Sequence, residues 1–174
     1  MNKIKNNRLV FIDVETTGLD PSKGHRIIEI GAIAMENNQL IEEYQSLVKV
    51  NYSIPSHVSK IHGITNDMLF DQPIPEQVYP DVNNFIAGSL LVAHNAKFDI
   101  GFLQSEFNRF NQHISNKSIC TLEMSRRRYP RLPNYKLSTV YQHLVGEQPA
   151  DAKRHRALDD ARMVAAIWQA MEGK

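Results

Sequence analysis

The chain has 174 residues, 20 Lys+Arg against 19 Asp+Glu, and a formal net charge of +1. That length and a hydrophobic content of 42% fit one domain spanning residues 1–174 with a core of its own, while the lone Cys120 excludes a disulfide framework and a multi-cysteine zinc cluster. A net charge so near zero gives no whole-chain argument for nucleic acid or membrane, and with no apolar run approaching ~18 residues the expectation is a cytoplasmic chain without a membrane partner.

Leu9-Val10-Phe11-Ile12 is continuous and apolar, as a strand buried on both faces would be. Ile27 to Met35 reads as a second strand, Asn37-Asn38 as a turn, and Gln39 to Val48 as the returning strand of a hairpin. Asn51 to Pro75 is loop-rich with two candidate short helices. Glu76 to Ile86 has helical spacing, with Pro80 early in it or bending it and Gly88 closing it. Leu90 to Ala93 predicts another central strand, Phe98 to Phe110 a helix, and Ser118 to Thr121 a short strand. Leu122 to Tyr129 and Leu137 to Val145 read as helices, followed by a polar loop from Gly146 to Arg156. Ala157 to Met171 carries an apolar stripe through Leu158, Ala161, Val164, Ala165, Trp168 and Met171. A hairpin followed by alternating strands and helices implies a mixed sheet with helices on its faces.

Asp13 and Glu15 close the first strand and, two apart, point to the same side of it. Alone, they read better as a solvated pair opening a loop than as a site. Asp99 follows the strand Leu90–Ala93 through His94-Asn95-Ala96-Lys97, and Asp159 and Asp160 open the last helix, where an acid suits the helix dipole in any case. Strand ends gathered at one edge of an α/β sheet form its ligand-binding side. Several acids there repel one another, and divalent cations relieve the repulsion. Oxygen donors without cysteine favour Mg²⁺ or Mn²⁺ over zinc, and two such ions about 3.5–4 Å apart are a recurrent device for phosphodiester hydrolysis. His155, five positions before Asp160, reads either as an exposed loop histidine or as an imidazole able to take a proton from water near neutral pH.

Taken in order, Phe11-Ile12-Asp13-Val14-Glu15-Thr16-Thr17-Gly18, Arg26-Ile27-Ile28-Glu29-Ile30-Gly31, His62-Gly63-Ile64, His94-Asn95-Ala96-Lys97-Phe98-Asp99 and His155-Arg156-Ala157-Leu158-Asp159-Asp160 resemble the DnaQ-like (DEDDh) family of 3′–5′ exonucleases. Within that family the chain most resembles the proofreading epsilon subunits of bacterial DNA polymerase III. The resemblance runs from about Leu9 to Met171, and ordered motifs with that His–Asp spacing are a specific signal. It implies an RNase H-like three-layer α/β/α fold with a central mixed five-stranded sheet and a single exonuclease domain. It also implies Asp13, Glu15, Asp99 and Asp160 as ligands of two Mg²⁺ or Mn²⁺ ions and His155 as general base. The implied pocket for the 3′-terminal nucleotide is Thr16, Thr17, Leu19, Ile61, His62 and Phe98. Phe98 reads equally as a core residue, Asn95 as a local hydrogen-bonder in its loop, and Glu29 matches the family pattern without a catalytic role.

The implied partner is single-stranded DNA or a frayed 3′ end, with release of nucleoside 5′-monophosphates in proofreading or repair. An RNase T-like or oligoribonuclease-like exoribonuclease is the alternative, since sugar choice turns on contacts to the 2′ position. A non-catalytic binding module on the same fold and an actin-like ATPase opened by Asp13 and Thr16-Thr17-Gly18 are weaker rivals. Epsilon subunits carry a further C-terminal segment that docks on the polymerase, whereas this sequence ends at Lys174, which leaves a polymerase partner open. The charge is also unevenly spread. Residues 117–156 carry nine Lys and Arg against three Asp and Glu, so Arg126, Arg127, Arg128, Arg131, Lys136, Lys153, Arg154 and Arg156 form either a phosphate-facing surface or a solvated face.

Overall fold

The computed structural model describes residues 8–147 and 155–172. Strand β1 (Arg8–Thr16) is flanked by β2 (Ile27–Glu36), which turns at Asn37 and Asn38, both in the left-handed region, into β3 (Gln39–Leu47). Asparagine tolerates that region better than other side chains. Helices α1 (Ser56–His62), α2 (Asn66–Leu69) and α3 (Pro75–Ile86) lead to β4 (Leu90–Ala93) and α4 (Ala96–Arg109). Strand β5 (Ser118–Cys120) passes directly into α5 (Thr121–Arg128), followed by α6 (Leu137–Leu144) and α7 (Ala157–Glu172).

The sheet order is β3-β2-β1-β4-β5, antiparallel from β3 to β1 and parallel from β1 to β5. β1 is central and buried on both faces, which explains its unbroken apolar run. Val10, Ile12 and Val14 pack under α3 and α4 with Val78, Val82, Phe102 and Phe107. On the other face Phe11 and Ile33 meet α7 through Ala161, Val164 and Trp168. Helices on both faces of a mixed five-stranded sheet give the three-layer RNase H-like arrangement.

Three differences from the sequence reading have physical causes. β1 continues to Thr16 because β2 pairs with it that far, so Asp13 and Glu15 lie within the strand. Helix α4 starts at Ala96 rather than Phe98, because Asn95 takes a left-handed conformation (φ 78°) and turns the chain directly into the helix. The stripe on α7 is also wider than one face. Met163 and Ile167 are buried against Val140 and Tyr141 of α6, so α7 is sandwiched between the sheet and a further helix. A 3-10 turn at Pro21–Lys23, capped by the Asp20 side chain on the Ser22 N–H, adds an element the spacing did not show.

Candidate active site

The carboxyl ends of β1 and β4 lie side by side, with Phe11 opposite Val92 in parallel register. On β1 the alternation that turns Leu9 and Phe11 toward α7 turns Asp13 and Glu15 to the same face. Asp99, one turn into α4, is buried and accepts a hydrogen bond from the Val14 N–H at 3.3 Å, which ties the second acid motif to the first. Asp160 comes from the first turn of α7, and its N–H donates to the Arg156 carbonyl at 3.0 Å. Ligand atoms of Glu15, His155 and Asp160 all lie within 4.8 Å of one another. Asp159 accepts from Arg162 at 2.9 Å, so the two adjacent acids at the start of α7 have different partners.

Asp13, Glu15, Asp99 and Asp160 lie close enough to repel one another. Burial and then repulsion from Asp99, Asp160 and Glu15 push the Asp13 carboxyl well above the ordinary carboxylate range. Glu15 is pushed up to about 8 by burial and then by Asp160 and Glu29. Burial, with a contribution from Asp160, raises Asp99 to about 8, although the Val14 N–H opposes the shift. Asp160 rises to about 6 through burial and Asp159. Carboxylates crowded this way are stable as anions only with a compensating positive charge. A set of carboxylate oxygens with one imidazole nearby fits a hard divalent cation.

Beside the acids, Leu19 (85% exposed) and Phe98 line a cavity of about 410 Å³ with Pro21, Asn95, Lys97, Gly101 and Phe102. Phe98 also packs on the core and on Phe102 at 4.9 Å between ring centroids. It therefore serves both roles that its sequence position allowed. Ile61 is 58% exposed on α1, whereas the next residue, His62, is buried. His62 Nδ1 accepts from the Ile64 N–H at 3.0 Å, which assigns the ring proton to Nε2. That nitrogen is buried and turns toward the Thr16 backbone, which favours its proton.

The two threonines are committed inside the chain. Thr16 Oγ1 donates to the Gly18 carbonyl at 2.6 Å. Thr17 Oγ1 accepts from the Arg26 N–H at 3.0 Å and lies 3.3 Å from His25 Nδ1. Both are buried, so they shape the loop that presents Leu19. A Cβ at Gly18 would meet the His25 ring at 2.4 Å, so a side chain there would displace that ring from Thr17. Asn95 makes no side-chain cap bond; its contribution is its backbone conformation.

Two contributors around the site are not evident from the motifs alone. Glu29 on β2 is wholly buried. It receives Arg156 Nε at 3.0 Å on both oxygens, Arg156 NH2 at 2.6 Å and the Ala157 N–H at 3.1 Å. Gly31 stands opposite Asp13 across the β1–β2 ladder, and a Cβ on it would lie 2.1 Å from the Leu158 nitrogen. Together they seat the start of α7 against the sheet. A charge inside the apolar run Ile27-Ile28-Glu29-Ile30 was the available signal, since a buried carboxylate needs a dedicated partner.

Known proteins resemble this chain. The Exonuclease family profile matches residues 10–168. The chain is 36% identical to the DNA polymerase III subunit epsilon of Pasteurella multocida (strain Pm70), over 95% of this chain and 68% of that protein. It is also 36% identical to the 3′-5′ exonuclease DinG of Bacillus subtilis (strain 168), over 97% of this chain and 18% of that protein. Against the PolC-type DNA polymerase III relatives it spans 11% of their length. Among solved structures, exonuclease X in complex with 5′ overhanging duplex DNA superposes with a TM-score of 0.75 at 29% identity, covering 95% of this chain and 92% of that one.

Proposed function

The chain belongs to the exonuclease family, and on that premise we propose that it removes nucleotides from the 3′ end of DNA, releasing nucleoside 5′-monophosphates in proofreading or repair. The observation that carries this reading is the gathering of Asp13, Glu15, Asp99 and Asp160 with His155 at one edge of the sheet. The names of the relatives agree with it, since they include a 3′-5′ exonuclease and a polymerase subunit.

Asp13, Glu15, Asp99 and Asp160 would hold two divalent ions, Mg²⁺ or Mn²⁺, and the raised carboxyls are the observation that the ions would answer. When bound, such ions offset the four negative charges and the charge that develops on the phosphate. His155, exposed and next to Glu15 and Asp160, accepts the proton of the attacking water on a ring nitrogen. The terminal nucleotide lies against Leu19 and Phe98, whose apolar surfaces accept any base face. Ile61 flanks it, His62 lies buried behind it against the Thr16 backbone, and Thr16 and Thr17 hold the Leu19 loop in shape. Exposed Arg126, Arg127, Arg131 and Lys136 extend the strand path.

The proposed unit is one exonuclease domain acting in the cytoplasm on single-stranded or frayed 3′ ends. A polymerase is its proposed partner, supported by the subunit name of its relatives. No helix among the described residues is long and apolar enough to cross a membrane.

Matched 20-mer DNA and RNA strands, digested with Mg²⁺ or Mn²⁺ and analysed by mass spectrometry, test the substrate assignment. The expected result is 5′-mononucleotide release with DNA turned over faster than RNA. Faster turnover of RNA would transfer the assignment to the exoribonuclease alternative.

A further inference from the structure

Glu29 is the residue whose geometry asks for an explanation beyond the acid cluster. Its carboxylate is 0% exposed, and removing such a group from water is costly unless each oxygen is well partnered. Four of the hydrogen bonds it accepts come from two consecutive residues, Arg156 and Ala157. A fifth comes from Gln45 Nε2 on β3 at 2.9 Å. Those two residues follow His155 directly. His155 itself adopts φ 59°, a left-handed conformation unfavourable to a non-glycine residue that persists only where its surroundings impose it.

The two ends of this segment are held differently. Helix α7, which carries Asp160, is seated on the sheet by Ala161, Val164 and Trp168 packing on Phe11 and Ile33. His155 precedes that helix: its backbone N–H bonds to the Asp160 carboxylate, and the residue after it is held by Glu29 through the Arg156 guanidinium. We propose that Glu29 is a positioning residue: through a two-pronged grip on Arg156 and a bond to the Ala157 N–H, it fixes the backbone at His155 and so aims the imidazole at the acid cluster. Glu29 stands directly opposite Glu15 in the β1–β2 ladder, so the strand that carries a cluster acid also references the position of the base. An arginine fork suits this task because it fixes direction as well as distance.

The inference rests on His155 acting as the general base, and its test separates the two ideas. Glu29→Gln keeps the shape and removes the charge that holds Arg156. The expected outcome is a kcat lower by roughly 10–100-fold, the scale of a misplaced catalytic group. KM should change by less than about twofold, because the nucleotide pocket is held elsewhere, and the metal concentration for half-maximal rate should change less than kcat, because Asp160 is also held through the packing of α7 on the sheet. In a His155→Ala background the same Glu29→Gln change should have almost no further effect on kcat. An equal loss in both backgrounds would show a general structural role and overturn the proposal, as would an unchanged kcat in the single variant.

Arg156→Lys, which keeps the charge but loses the fork, serves the same cycle if Glu29→Gln does not fold; a loss as large in the His155→Ala background as in the wild type again overturns the proposal. Timed trypsin digestion with peptide mapping gives a readout that needs no activity. Release of Arg156 in Glu29→Gln should speed cleavage after residue 156 at least several-fold while leaving cleavage at Arg126–Arg128 unchanged. Unaltered cleavage after residue 156 overturns the positioning role whatever the rate data show. A wild-type chain inactive on every nucleic acid, with accelerated cleavage in Glu29→Gln, would leave the positioning intact and remove the exonuclease reading instead.

Discussion

Asp99 is buried beneath the acid cluster, and burial together with Asp160 pushes its carboxyl up to about 8. Unfolded carboxyls titrate near about 4, so the folded chain holds these protons more tightly than the unfolded one. The stability such groups contribute is complete below about pH 4 and is lost as the pH rises through about 6 for Asp160 and about 8 for Glu15 and Asp99. In chelator, the Tm of the wild-type chain should therefore fall between pH 5 and pH 8, and Mg²⁺ or Mn²⁺ should recover more of it at pH 8. Asp99→Asn should melt several degrees above wild type at pH 8 in chelator, about 2–4 °C per kcal/mol for a chain of this size, while hydrolysing nothing. A Tm for Asp99→Asn at or below wild type under those conditions would contradict the repulsion argument. His155→Ala, read by single-turnover kinetics, should lose roughly 10²–10⁴ in rate and still bind metal and DNA. Near wild-type turnover would remove His155 from the general-base role.

Helix α7 joins fold and site, because it covers the sheet with one face, supports α6 with another and delivers Asp160 from its first turn. Its close approach depends on Gly31, where any Cβ would collide with backbone atoms of Ala157 and Leu158. Gly31→Ala should destabilise the chain by about 1–3 kcal/mol, as overpacking does, and should lower turnover by displacing Asp160. Denaturant melts and metal titrations check both, and unaltered values for the two would contradict the seating described. Much of this element was legible in the sequence. Its apolar stripe faces Phe11 and Ile33, and the five-residue spacing from His155 separated Asp160 from Asp159, which pairs with Arg162. The partners that hold its N-terminus were not legible, because Glu29 lies 127 residues from Arg156 and no local pattern links them. The start of α4 was misplaced for a related reason: the left-handed turn at Asn95 is a backbone property that the apolar periodicity does not carry.

Across the whole molecule, the near-neutral charge divides between an acidic edge and a basic flank. The flank is smaller than its sequence suggests. Arg128 donates to the Met171 carbonyl at the end of α7, and Arg156 is committed to Glu29. Lys153 and Arg154 lie outside the described residues. Exposed Arg131 and Lys136 remain for the strand, as do the neighbours Arg126, set over the Tyr135 ring at 5.8 Å, and Arg127. Neutralising Arg126 and Arg127 should weaken single-stranded DNA binding and lower the slope of log affinity against log salt by roughly 0.7 per lost phosphate contact, measured by fluorescence anisotropy; an unchanged slope would make them part of a solvated face. Four acids and one histidine forming a metal-dependent 3′–5′ exonuclease site is the proposal that a 5′-labelled single-stranded DNA decides. With Mg²⁺ or Mn²⁺, the wild-type chain should yield a ladder shortening one nucleotide at a time from the 3′ end, abolished by chelator and by Asp13→Ala. Immediate release of labelled mononucleotide, or a ladder that persists in chelator or in Asp13→Ala, would contradict it.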